Sequence, residues 1–349
     1  RDRWWAGVNF NREDVRRRTV ELIEEVARNY AVDGIDLDWL RHPIHFPETL
    51  RGEPAAQKSI DLITGLVRDV RATLARVEQE RKRTILLATR VPLTIAQGRY
   101  MGVDVEAWVD EGLVDFVTLG GGYVPFSMPT AEIAAICRKH DVPAYPCVSA
   151  SGMTRRAPFG KGQLYGIEGW RATAANAFAQ GADGISLFNL FPSPGSDAHN
   201  RLVRQAFSEL GDPATLEGKD KLFVLDNEAH MATHGYVNHI VPHGHCLPKA
   251  VEPDKLAVAM VRVSDVPPAG EGTIDLRVQL EHEAAVEVEL NGRRIDLERS
   301  REMEERIGMI WFTGPVPHEA LDKGENRVAV RLPDTAGATR VTGCEVLVR

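Results

Sequence analysis

The ten residues Asp33-Gly34-Ile35-Asp36-Leu37-Asp38-Trp39-Leu40-Arg41-His42 decide the reading of the fold. Side chains alternate faces along a strand, so Asp36 and Asp38 project one way while Ile35, Leu37 and Trp39 project the other. The apolar set needs a cover. In a parallel strand of a (β/α) barrel that set packs on helices, and the inward set near the strand's C-terminal end lines the mouth where active sites lie. Unpaired carboxylates inside a barrel are costly, so two of them on one strand point to a functional site. The run ends in the cationic pair Arg41-His42 rather than in a turn.

Outward from this stretch, helical spacing alternates with short β-rich runs from residue 13 to about 210, the pattern of βα units and a parallel sheet. Glu13 to Tyr30 carries Val15, Val20, Ile23, Val26 and Ala27 at helical intervals. Helices are predicted around Ile60–Glu80, Val105–Glu111, Thr130–His140 and Gly169–Gln180, the last closed by Gly181. The strands between them are Thr84–Arg90, Val114–Leu119, Val142–Val148 and Asp183–Asn189. With the first strand that makes five, and two of them open with Asp-Gly-Ile. A closed barrel takes eight, so the expected fold is an α/β (β/α)8 TIM barrel with strands four to eight present and three strands preceding Arg1. The alternative, an open doubly wound sheet, lacks the glycine-rich phosphate turn after a first strand.

Past Pro192 the character changes. A short helix at Leu202–Leu210 and the loop Gly211-Asp212-Pro213 lead into an irregular, histidine-rich stretch, and from about Leu256 the pattern turns to period two. Asn291-Gly292 is a hairpin signal between Leu290 and Ile295. The expected division is 1–210 for the C-terminal portion of the barrel, 211–250 for a connector and 251–349 for an all-β sandwich.

At 349 residues, with 43% apolar and 26% charged content, the chain fits one large domain and a small one. The formal charge of −8 leaves no basic footprint for nucleic acid, and no apolar run approaches the roughly 20 residues of a membrane span. The cysteines, at 137, 147, 246 and 344, show no metal-knuckle or disulfide-scaffold spacing. Arg1-Asp2-Arg3-Trp4-Trp5 matches neither a signal peptide nor a helix start, and the chain is read as beginning inside a larger protein.

Asp33-Gly34-Ile35-Asp36-Leu37-Asp38-Trp39 resembles the fourth-strand motif of family-18 chitinases, Asp-Gly-x-Asp-x-Asp-x-Glu. The closing glutamate, that family's general acid, falls on Leu40, which cannot donate a proton. The continuation Leu40-Arg41-His42-Pro43 looks like the Asp-aromatic-x-Arg-x-Pro strand end of the glycosyl-hydrolase-like family 10 barrels, a bacterial group found with β-sandwich tails. More distantly it resembles the fourth strand of α-amylase-type enzymes, Gly-Phe-Arg-x-Asp-x-x-Lys-His. On that match Asp38 takes the nucleophile position and Arg41-His42 the Lys-His positions. The glutamate that ends the fifth strand in those enzymes has no counterpart in Ala88-Thr89-Arg90-Val91-Pro92. The resemblance covers about residues 5 to 210, and Gly211-Asp212-Pro213 with Lys219-Asp220-Lys221 looks like the join to the sandwich. It implies a glycoside hydrolase acting on a poly- or oligosaccharide, in a secreted or periplasmic setting and without a cofactor. Leu40 keeps open the alternative of a non-catalytic, lectin-like carbohydrate-binding barrel.

Glycoside hydrolysis uses two carboxyl groups, roughly 5 to 5.5 Å apart for retention and 6.5 to 9.5 Å for inversion. Asp36 and Asp38 stand about 6.5 to 7 Å apart at Cα. Asp38, nearer the strand end, is the expected nucleophile or base. Asp36 is its partner, because adjacent carboxylates do not both ionise freely. Arg41 would hold Asp38 ionised or grip a sugar hydroxyl or uronate, with His42 beside it. Arg90 would either pair with Asp36 or Asp38 or touch substrate. Tyr123, after Gly120-Gly121-Gly122, could stack on a sugar, and Asn189 could bond a hydroxyl, while Phe188 reads as core. Glu48 and Glu168 lie at the right end of the barrel for an acid and also read as surface carboxylates. His230, His234, His239, His243 and His245 crowd one segment, but Gly235, Pro242 and Gly244 oppose a long helix, and a solvated connector is the default over a metal site.

Overall fold

The structure, a computed structural model, describes residues 7–40, 44–121, 125–150, 153–155, 163–226, 247–253, 255–307, 309–333 and 338–349. Arg41, His42, Tyr123 and the 230–245 histidine stretch lie outside the described residues.

The strands β1 (Gly34–Asp38), β2 (Leu86–Val91), β3 (Phe116–Leu119) and β4 (Ala144–Ser149) form a parallel sheet in chain order. After a two-stranded ribbon, β5 (Thr154–Arg155) and β6 (Gln163–Leu164), the sheet is completed by β7 (Ser186–Phe188) beside β4. The crossovers are helical: α1 (Glu13–Asn29) precedes β1, and α2 (Pro47–Leu50) and α3 (Gln57–Arg81) link β1 to β2. Then α4 (Ile95–Met101) and α5 (Val105–Asp110) link β2 to β3, α6 (Ala131–Lys139) leads to β4, α7 (Ile167–Ala179) to β7, and α8 (Asp197–Glu209) follows. The long helix α3 owes its place to one apolar stripe, Ile60, Ile63, Val67, Val70, Leu74 and Val77, all buried.

One face of the sheet takes α1, α3, α5, α6, α7 and α8. Leu87, Val91, Val117, Leu119 and Ala144 share a buried cluster with residues of α1, α3, α5 and α6, and Ile35 and Leu37 pack against it. Val148 joins residues of α7 and α8 in a second cluster, with Leu187 packed on it. The strand order never reverses. A doubly wound sheet needs a reversal and helices on both faces, so the described residues form a half-barrel wall instead, open between β1 and β7. Eight-strand closure is not present among them.

The opposite face carries Asp36 and Asp38, both exposed. Register partners share a face, and they are Asp36 with Ala88, Asp38 with Arg90, Arg90 with Thr118, Thr118 with Tyr145, Cys147 with Ser186, and Ser149 with Phe188.

The rest of the chain is antiparallel. Strand β8 (Lys221–Val224) lies within the stretch read from sequence as a connector, as does the start of β9 (Lys249–Val251); both pair with the last strand of the chain. Next come β10 (Ala257–Val263), β11 (Ile274–Leu280), β12 (Glu287–Leu290), β13 (Arg293–Ile295) and β14 (Glu298–Arg299). A helix, α9 (Arg301–Ile307), precedes β15 (Ile310–Pro315), β16 (Gly324–Arg331) and β17 (Thr339–Val348). They form two sheets, β10-β16-β12-β13 and β14-β15-β11-β17-β8. Ala257, Ala259, Val261 and Val263 of the first meet Ile274, Leu276, Val278 and Leu280 of the second in one core, each strand burying every other residue. Asn291 and Gly292 both have positive φ, as the two-residue turn between β12 and β13 requires. Leu222, Val224 and Leu347 pack with Trp170 and Val203, so β8 and β17 join this body to the helices behind the wall.

Candidate functional site

Asp38 ends β1, and its register partner Arg90 lies near the end of β2, so both stand at the C-terminal rim. The Arg90 side chain is 8% exposed and that of Asp38 48%, with Nε 3.1 Å from Oδ1. The same Oδ1 accepts a hydrogen bond from the Leu40 N–H at 3.0 Å. A buried guanidinium is retained when its charge is matched, and Asp38 is the carboxylate that matches it. The sequence left Arg90 between Asp36, Asp38 and substrate; geometry pairs it with Asp38.

The far side of the guanidinium faces β7. Its Cζ lies 4.7 Å from the ring centre of Phe188, a cation–π contact. Three strand steps separate β2 from β7, about 14 Å in a flat sheet with side chains upright. The contact therefore requires the sheet to curl, and the face bearing the aspartates is its concave side. Phe188 was expected in the core. It is half-buried on that concave face because Leu187, its neighbour in the alternation, turns outward instead. The pairing of Ser186 and Phe188 against Leu187 was the available signal.

Asp36 sits one pleat deeper, opposite Ala88. Its side chain is open to solvent on one side yet partly desolvated by the surrounding wall, which raises its pKa above the ordinary aspartate value; the Asp38 charge adds to the rise, and Arg90 opposes it. The two carboxyls therefore differ in environment: Asp38 has a guanidinium and a backbone N–H, whereas Asp36 has a like charge beside it. Below them Cys147 is buried, and burial pushes its thiol up to about 11, so it is not a nucleophile. Phe116 and Tyr145 meet edge to face at 5.7 Å lower on the same surface.

The tip of β1 is held by Trp39. Its N–H donates to the Arg90 carbonyl at 3.1 Å and its indole Nε1–H to Thr89 Oγ1 at 3.1 Å. The ring packs on Trp108 and stands edge-on to His45, with centroids 5.6 and 5.5 Å apart. His45, which the sequence reading passed over, is 8% exposed, and burial lowers its pKa to about 4.

Asn189 follows β7 with positive φ and an exposed side chain, at the same rim as Asp38. Glu48 is engaged elsewhere: its Oε1 accepts from Ser59 Oγ at 2.5 Å, tying α2 to α3. Glu168 lies in the first turn of α7. Among the described residues no group of three or more His, Cys, Asp or Glu side chains could hold a metal ion, and no helix is long and apolar enough to cross a membrane.

No protein-family model and no curated protein matches the chain. Solved structures similar to it include a family-18 N-acetylglucosaminidase from Paenibacillus barengoltzii, 16% identical over 56% of this chain and 77% of that one, with a TM-score of 0.38. A multi-modular chitinase from a Paenibacillus species is 11% identical, with 93% of this chain and 40% of that one covered and a TM-score of 0.39. A family-18 chitinase from Chromobacterium violaceum is 11% identical, with 98% and 70% covered and a TM-score of 0.36. These neighbours are glycoside hydrolases and do not single out the family-10-like group. At such scores the likeness carries no weight in assigning the site, which stands on the residues above.

Proposed function

We propose that the concave face hydrolyses a glycosidic bond in a poly- or oligosaccharide, with Asp38 as nucleophile or base and Asp36 as its partner. The observation that carries this reading is the Asp38–Arg90 pair: a buried cation sustains a half-exposed carboxylate on the open side of a curled parallel wall. A glycosidic bond breaks through an oxocarbenium-like transition state, and a fixed negative charge at the rim stabilises it. Asp36 holds its proton to higher pH than an ordinary aspartate, which suits it to the partner role beside Asp38. Arg90 positions the Asp38 charge. Asn189, Arg41, His42 and Tyr123 are assigned to substrate hydroxyls and rings on the sequence reading, and this chemistry calls for no cofactor. The wall is read as part of a (β/α) barrel, and the two facing antiparallel sheets as a β-sandwich that buttresses it or binds glycan.

The test is the release of reducing ends from a panel of polysaccharides and oligosaccharides. The intact chain should turn over at least one, and Asp38→Asn should abolish turnover while calorimetric binding persists. Leu40, where the chitinase motif has glutamate, favours the second reading, a carbohydrate-binding wall without catalysis. Binding with no product from the wild-type chain would establish that reading and refute the first.

A further inference from the structure

Arg90 meets Asp38 through charge rather than through a directional bond. Its Nε lies 3.1 Å from Asp38 Oδ1, yet that buried nitrogen has no hydrogen-bond partner. A hydrogen bond fixes the plane of a guanidinium, whereas a charge contact is nearly indifferent to how the group is turned. The carboxylate is placed from its own strand end, by the Leu40 N–H at 3.0 Å. The cation needs a restraint from elsewhere.

The Phe188 ring supplies one. Its centre lies 4.7 Å from Arg90 Cζ, within cation–π range. The place of the ring does not depend on the arginine: Phe188 is in register with Ser149, and its carbonyl accepts from the Ala150 N–H at 3.2 Å. Between the two, the concave face carries the small residues Thr118 on β3 and Cys147 and Ser149 on β4, so the long arginine side chain and the ring meet over them. Tyr145, the large residue of that face on β4, stands edge to face with Phe116 instead. A leucine at 188 would cover the guanidinium but offer it no negative ring face.

We propose that Phe188 is a positioning residue for the Asp38–Arg90 pair: from the far side of the wall its ring stacks the guanidinium and holds it turned toward the carboxylate. This rests on reading Asp38 as the working carboxylate, and it adds the residue that keeps its counter-charge in place.

The test uses the full chain with Phe188→Leu, which keeps apolar bulk and loses the ring, and Phe188→Tyr, which keeps the ring. On a glycan hydrolysed by wild type, Phe188→Leu should lower kcat about 10-fold with KM unchanged, the rate equivalent of one cation–π contact, and Phe188→Tyr should recover most of it. A rise in KM with kcat unchanged would make the ring a sugar platform and overturn the proposal, as would a matched loss in both variants. Independently of activity, urea denaturation of the Asp38→Asn and Arg90→Met single and double variants gives the coupling within the pair. On the Phe188→Leu background that coupling should be largely lost, and on the Phe188→Tyr background it should persist. Coupling undiminished by Phe188→Leu, or absent already in wild type, overturns the proposal. If wild type turns over no glycan, the functional reading fails on its own, and the urea cycles still decide whether Phe188 sets the pair.

Discussion

Asp38 and Arg90 are register partners of opposite exposure: the cation is buried at the rim of the wall and the anion is half in solvent, 3.1 Å away. Removing the carboxylate strands a guanidinium where water cannot reach it well; removing the guanidinium leaves a carboxylate that water can still solvate. Asp38→Asn should therefore cost stability, on the order of 1 kcal/mol once the exposure of Asp38 is allowed for. In a cycle with Arg90→Met, the double variant should be more stable than the two single losses add up to. Urea denaturation of the four proteins measures the coupling, and strict additivity would mean that the pair does not hold the rim together.

Asp36 works against the fold at neutral pH. Its pKa is raised on folding by burial and by Asp38, so the folded state disfavours its charged form. Asp36→Asn should stabilise the protein at pH 7, and the gain should fade as pH falls toward about 4 and be absent below it, where the carboxyl is protonated folded or unfolded. Thermal melts across that range check the sign.

Gly34 opens β1 directly beside Leu86 of β2. A Cβ there would meet the Leu86 carbonyl oxygen at 2.8 Å, on the backbone of β2 rather than on a side chain that could turn away. Gly34→Ala should cost about 1–3 kcal/mol, read as a lower urea midpoint with an unchanged m-value.

His45 gives the acid limb a defined window. Its pKa drops from 6.5 to about 4 on folding, chiefly through burial. The unfolded chain thus binds the extra proton first, and stability falls as pH goes from about 6.5 down to 4, at about 1.4 kcal/mol per unit at the steepest. His45→Gln should remove that slope and leave the rest of the profile in place, as denaturation midpoints between pH 4 and 7 will show.

Glu209 gives a second, lower window. The Arg171 hydrogen bond at 2.6 Å, then Gln205 and Lys219, hold its carboxyl at about 2 against an ordinary 4.5, despite burial. A lowered carboxyl stabilises above its unfolded value and loses that contribution as pH falls from about 4.5 to 2. Glu209→Gln should be clearly less stable than wild type at pH 7 and indistinguishable from it near pH 2, a comparison that chemical denaturation at the two pH values makes directly.

The elements most legible from the sequence were those with a clean period. The helix stripe of α3 and the alternation in β10 and β11 stand where their spacing put them, because burial on one side selects the period that the backbone repeats. Strand β15 was missed: Ile310–Pro315 ends in Gly314-Pro315 and lacks a buried-exposed alternation. Strand β8 was missed because it opens with Lys221, a residue expected at the surface. Its ammonium is buried and satisfied by the Leu216 and Lys219 carbonyls, at 2.6 and 3.0 Å, and by Asp265 at 2.6 Å. Only packing from distant segments makes such a strand favourable, and no local pattern records it.

At the candidate site the division is similar. The alternation from Asp33 to Trp39 determined by itself that Asp36 and Asp38 share a face and that Ile35, Leu37 and Trp39 take the other, since that follows from the geometry of one strand. Tertiary structure alone decided which aspartate received a guanidinium, that Phe188 came across the sheet to meet it, and that the His45 ring closed edge-on against Trp39. Those outcomes depend on strand register, on curvature and on loop return, which are set by contacts between segments far apart in the chain and so leave no trace within any one of them.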